Sequence, residues 1–142
     1  MSLLDDVSIV VTPNGYKAGE LYAVIPVPTE GAEEVTNGDF ATDSDWVKGA
    51  GWTISGGKAN CDGSQSAQSN FYQVGIVPIN IYYQVTFTAT VVSGGVTLAI
   101  GGSNAQPITT ASGTYTVYSK ATSGDSNLYF SANSTFVGSI DN

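Results

Sequence analysis

Residues 83–91 alternate apolar and polar side chains without a break. Tyr83, Val85, Phe87, Ala89 and Val91 share one parity, and Gln84, Thr86, Thr88 and Thr90 share the other. A period of two belongs to a strand with one face on a core and the other in water. The outward set is uncharged and rich in hydroxyls, so that face suits a polar ligand or a neighbouring subunit.

Shorter runs with the same habit fill the rest of the chain, over 52–55, 58–61, 69–76, 81–92, 96–101, 105–110, 114–121, 127–132 and 136–141. Between them stand Ser55-Gly56-Gly57, Asp62-Gly63, Ser93-Gly94-Gly95, Gly101-Gly102, Ser112-Gly113 and Ser123-Gly124-Asp125. Regular short strands punctuated by such turns predict an all-β antiparallel sandwich. No stretch has the period of a long amphipathic helix. Trp52, Ile54, Val96, Leu98, Ile100, Tyr115, Val117, Leu128 and Phe130 supply its core, each aromatic removing roughly 150–250 Å² from water. Trp46 lies in an acidic loop and is expected to cap the sandwich edge. Cys61 shares the parity of Ala59 and reads as a small buried hydrophobe. As the lone cysteine it excludes an intrachain disulfide.

Residues 1–28 form a separate β-rich segment. Runs 7–11 and 21–25 are β-prone, Pro13-Asn14-Gly15 between them signals a reversal, and Pro26 and Pro28 stop the second run. Residues 29–34, with Glu30, Glu33 and Glu34, read as an exposed acidic linker. The sandwich then takes 35–142.

The charge balance narrows the partners. Twelve acidic side chains face four basic ones, all lysine, for a net charge of −8 over 142 residues. No cationic surface is available to displace counterions from phosphates, so nucleic acid is not an expected partner. Anionic membrane surfaces are disfavoured by the same argument, and no apolar run approaches the ~20 residues of a spanning helix. The acidic start, Asp5-Asp6, lacks the basic and apolar regions of a signal peptide, which predicts synthesis in a cytoplasm without general export. With no histidine in the chain, Ser-His-Asp, Cys-His and histidine–metal chemistry are excluded. No phosphate-cradling glycine loop is present. The carboxylates fall mostly in the linker and turns, so no enzymatic activity is expected.

Several short motifs stand in order along the chain. Thr36-Asn37-Gly38-Asp39-Phe40, Asp43-Ser44-Asp45-Trp46, Gly51-Trp52-Thr53-Ile54-Ser55, the 83–87 strand and Gly138-Ser139-Ile140-Asp141-Asn142 are all present. Together they resemble the carbohydrate-binding-module-like jelly roll of structural and tail proteins of tailed bacteriophages. Ser2-Leu3-Leu4-Asp5-Asp6 and the stretch 12–22 resemble the leader found on phage virion proteins. The resemblance implies a virion protein made in the host cytoplasm. It would attach to capsid or tail proteins of its particle through Val7, Ile9, Val11, Tyr16, Leu21, Tyr22, Val24 and Ile25. A jelly roll behind that segment would serve decoration or adhesion, in a homo-oligomer that analogy makes a trimer. The alternatives are a free-standing carbohydrate-binding module and a ligand-free element that stabilises a capsid or tail by oligomerising.

The same resemblance implies a structural calcium beside Asn37, Asp39 and Asp141, with Ala41 standing where the family has an acidic residue. Calcium takes six to eight oxygens, and solvated turn acids with no cofactor are the competing reading. Family members continue past the Ile140-Asp141-Asn142 motif into a last strand. Either the chain continues beyond Asn142, or the edge that stopping there would leave is covered by the N-terminal segment or by a neighbouring copy in an oligomer.

A sugar binder of this shape stacks pyranose rings on aromatic faces and reads hydroxyls with amides and hydroxyls. Tyr82, Gln84, Thr116, Tyr118 and Tyr129 lie on the polar parity of their strands and are the candidate platform for a cell-surface glycan. The competing reading is that a loop or a subunit contact covers these tyrosines.

Overall fold

The computed structural model describes residues 15–17, 20–22, 30–101, 108–122 and 125–142. The chain divides into two units, Met1–Ala32 and Glu33–Asn142.

In the first unit β1 (Gly15–Lys17) and β2 (Glu20–Tyr22) pair antiparallel, Gly15 opposite Tyr22 and Lys17 opposite Glu20. Gly15, the end of the expected turn at 13–15, belongs to β1, and Pro13 and Asn14 lie outside the described residues. Of the expected attachment residues, Tyr16, Leu21 and Tyr22 lie on these strands, and Val7, Ile9, Val11, Val24 and Ile25 lie outside the described residues.

The second unit is a β-sandwich, and among the described residues it contains no helix. One sheet has the order β3 (Val47–Lys48), β6 (Ser69–Gln73), β10 (Leu128–Ala132), β8 (Val96–Ile100). The other runs β4 (Trp52–Ser55), β5 (Lys58–Cys61), β11 (Val137–Asp141), β7 (Tyr82–Ser93), β9 (Gly113–Lys120). We call them the four-stranded and five-stranded sheets. All pairings are antiparallel. Only β4 and β5 form a hairpin within one sheet; every later connection crosses to the other. Gly56 and Gly57 make that hairpin turn, with φ of 61° and 70°, the mirror-image turn that suits strand twist and that side chains oppose.

Each inward parity meets the other sheet. On β7, Phe87 and Ala89 are buried while Thr86 and Thr90 are exposed. On β6, β8 and β10 the first, third and fifth residues are all buried. Phe71, fully buried, lies at the centre of an aromatic cluster. The Trp46 indole stacks on it at 4.6 Å and 6°, Trp52 lies at 5.1 Å and Phe40 at 5.8 Å. Trp46 is thus a core residue and not an edge cap. Its loop folds over the sheet, and its Nε1 donates to the Asn37 carbonyl at 3.2 Å, removing the cost of burying an indole N–H. Cys61 is buried as expected, its thiol pKa pushed up by burial.

Two strand expectations shift. Run 69–76 ends as a strand at Gln73, with Val74 exposed. Of run 105–110, the described part makes a single bridge, Thr109 to Val96. The 136–141 strand forms as β11 (Val137–Asp141), which lies between β5 and β7 and is paired on both sides.

Candidate functional site

β7 and β9 are neighbours, and their register decides which side chains meet. Gln84 lies opposite Tyr118, Thr86 opposite Thr116 and Tyr82 opposite Lys120. Tyr82 and Tyr118 are therefore diagonal neighbours, roughly 7–8 Å apart by sheet geometry. Both stand on the outer face and are conspicuously open, 77% and 72% exposed. An apolar ring left that accessible loses the burial that normally rewards it. Gln84, also exposed, sits beside them with an amide that can both donate and accept.

The threonines behind this patch are partnered with each other. Thr86 and Thr116 hydroxyls lie 3.1 Å apart, and those of Thr88 and Thr114 lie 3.0 Å apart. Such cross-strand pairs hold the register and leave the aromatic end as the part with unspent contact capacity. Lys120, absent from the expected site, places its Nζ 5.7 Å from the Tyr82 ring centroid, within cation–π reach. Its shared parity with Tyr118 was the available signal. Ile79 and Ile81, each 50% exposed, precede Tyr82 in the chain.

Tyr129 does not join this group. It lies on β10 in the four-stranded sheet, opposite Tyr72 and Ala99. Its ring is 4.9 Å from that of Tyr72, and its hydroxyl donates to Asp125 Oδ2 at 2.7 Å and accepts from Asn127 Nδ2 at 2.8 Å. Parity predicted its outward direction but could not say from which sheet.

The loop proposed for calcium is organised by its own hydrogen bonds. Asn37 adopts φ 50°. Its Nδ2 donates to the carbonyls of Thr42 and Ser44 at 2.7 and 3.1 Å, and its Oδ1 accepts from Thr42 N–H. Its backbone carbonyl accepts from Phe40 N–H, a turn that delivers the Phe40 ring to the core. Asp39 Oδ1 accepts from Ala41 N–H. Asp141 is held by Lys58 Nζ at 2.6 Å. Among the described residues no three acidic, cysteine or histidine side chains gather as a metal site requires. Asn37 and Asp141 are thus each engaged by other partners in this arrangement.

The Lys58–Asp141 pair makes a checkable statement about pH. The ammonium hydrogen bond holds the Asp141 carboxyl below its ordinary value of 3.8. A depressed folded-state pKa contributes stability above the unfolded value and loses it as pH falls through the folded one. Lys58 is substantially exposed, so the effect is at most about 1 kcal/mol. Urea unfolding of wild type and Lys58→Met should differ by that amount at pH 7, and the gap should shrink as pH falls below the ordinary carboxyl value and close once it passes the lower folded-state value; a gap independent of pH would contradict the pairing.

No protein-family model and no curated protein sequence matches this chain.

Proposed function

We propose that this chain is a non-enzymatic structural protein of a bacteriophage particle, with a sandwich that displays the β7/β9 face outward as an adhesion surface for glycans. The observation that carries the binding role is the pair of exposed tyrosines, Tyr82 and Tyr118, beside Gln84 on one strand pair. Two aromatic faces with an amide and a nearby lysine suit a neutral or weakly acidic sugar, stacked by ring and read by hydrogen bonds. The phage setting rests on the motif resemblance, and so does attachment through the first unit. A jelly-roll winding is part of the same proposal, supported by the crossing of every connection after β5 between the two sheets.

A glycan array probed with the full chain tests the binding role. Binding to a definable sugar class should fall at least tenfold, about 1.4 kcal/mol, in the Tyr82→Ala, Tyr118→Ala double variant. These side chains are exposed, so folding should survive. Retained binding in a folded double variant, or no binding to any glycan at millimolar concentration, would sink the proposal.

One observation favours a second reading. Ile79 and Ile81, just before Tyr82 in the chain, add exposed apolar side chains near the start of β7, as a contact between copies would require. Sedimentation separates the two, because an oligomer that the double variant dissociates would assign the face to self-association.

A further inference from the structure

The outer face of the four-stranded sheet carries two rows of side chains that run across the strands. Val47, Tyr72, Tyr129 and Ala99 stand opposite one another on β3, β6, β10 and β8. Two residues away along the strands lies a second row, Asn70, Ser131 and Thr97. Neighbours within a row are about 4.8 Å apart and the rows about 7 Å apart, by strand geometry. One row is apolar and aromatic, the other polar and uncharged. Tyr72, Tyr129, Asn70, Ser131 and Thr97 are all half-buried.

The aromatic row is set in place by the fold. The Tyr72 and Tyr129 rings lie 4.9 Å apart at 31°, and the Tyr129 hydroxyl both donates to Asp125 and accepts from Asn127. The polar row is not. Asn70 Oδ1 is buried without a hydrogen-bond partner, the single side-chain nitrogen or oxygen of which this is true among the described residues. The Ser131 and Thr97 hydroxyls beside it are likewise unpaired within the described chain, unlike the threonines of β7 and β9, which bond one another. A buried acceptor left unmet costs the fold free energy. A donor brought by a ligand would meet it, and no bond holds that oxygen in its present place.

We propose that this face is a second sugar-binding surface, which takes a neutral pyranose unit with its ring against Tyr72 and Tyr129. A hydroxyl or acetamido N–H of the sugar donates to Asn70, and further hydroxyls meet Ser131 and Thr97. Charge sets the class. Of the three lysines in the sandwich unit, Lys48 is paired with Asp43, while Lys58 and Lys120 belong to the five-stranded sheet. With Asp125 at the end of the aromatic row, a carboxylated sugar has no free cation to meet here. The surface uses none of the residues of the β7/β9 face, so either can fail alone. Because the two lie on opposite layers of the sandwich, one chain can hold two glycan strands at once, and the second contact gains from proximity.

Amide NMR of the full chain tests this, with separate titrations of neutral oligosaccharides of glucose, N-acetylglucosamine, mannose and galactose to millimolar concentration. At least one should shift the amides of 70–72, 97–99 and 129–131 saturably. Asn70→Ala should weaken that binding about tenfold or more and leave the thermal midpoint unchanged or higher, because an unpartnered oxygen contributes nothing to the fold. Tyr72→Ala should abolish binding here, and Tyr72→Phe, which keeps the ring, should retain it. The Tyr82→Ala, Tyr118→Ala double variant should leave these shifts intact. Saturable shifts confined to 82–86 and 116–120 would overturn the second surface and leave the β7/β9 reading standing. No saturable shift at 70–72 and 129–131 with any of these sugars overturns it too. So does an Asn70→Ala variant that loses stability in place of affinity, or movement of these amides with protein concentration alone, which would assign the face to contact between copies.

Discussion

Replacing Phe71 with alanine is expected to cost about 3–5 kcal/mol of unfolding free energy, the range for emptying a fully buried aromatic site. The side chain has no exposed surface, and three aromatic rings lie within 6 Å of its centroid. Relaxation into the hole is restricted, because Trp46 and Trp52 are each held by an indole hydrogen bond, to Asn37 and Ser69 carbonyls. A domain of this size has about 5–15 kcal/mol in total, so the variant should sit near the edge of folding. Urea denaturation followed by far-UV circular dichroism measures the loss. Phe71→Leu, which keeps most of the volume, should recover more than half of it. Equal losses in the two variants would show that the packing argument is wrong. The only two tryptophans in the chain both contact this ring, so their emission should shift in the folded alanine variant.

Gly138→Ala is expected to destabilise by about 3 kcal/mol, the upper part of the range for overpacking a tight site. A Cβ at this position would fall inside van der Waals distance of the Thr90 carbonyl oxygen, with the Phe136 ring 2.9 Å away. The neighbour is backbone in the adjoining strand and cannot swing aside. Gly138 also sits where the β11–β7 register shifts, Val137 lying opposite Ser93 and Gly138 opposite Val91, so Val92 is the extra residue of a bulge in the adjoining strand. Gly31→Ala, where nothing stands within 4 Å, is the control and should change stability by less than about 0.5 kcal/mol. Thermal unfolding of both variants gives the comparison, and similar midpoints would contradict the close-approach argument.

Sequence pattern reached far into this fold because a period of two reports which side of a strand meets the core. It placed Phe87, Ala89, Leu98 and Phe130 inside and Tyr82 and Tyr118 outside without knowledge of any neighbour. It could not place Trp46, since a residue in an irregular loop has no period to read, and its burial comes from a turn built by the Asn37 side chain. Parity also says nothing about sheet membership. Tyr129 and Tyr118 both point outward, but from opposite layers, because consecutive strands cross the core. The Asn37-Gly38-Asp39-Phe40 motif was legible as a unit and its role was not: the asparagine amide bridges Thr42 and Ser44 within the loop.

The central position of β11 has a consequence for how the chain reaches this structure. The five-stranded sheet cannot close until β11 has been synthesised and has entered between β5 and β7, whose strands precede it by about 80 and 50 residues. Loop-closure entropy must be met before these pairings return any energy, which makes such topologies slow to fold. In the interval the facing edges of β5 and β7 have no partner, the situation in which strands pair with the wrong chain. Thr86, Thr88 and Thr90 of β7 and Asn60 of β5, polar on the outer faces of those strands, reduce that hazard while β11 is awaited.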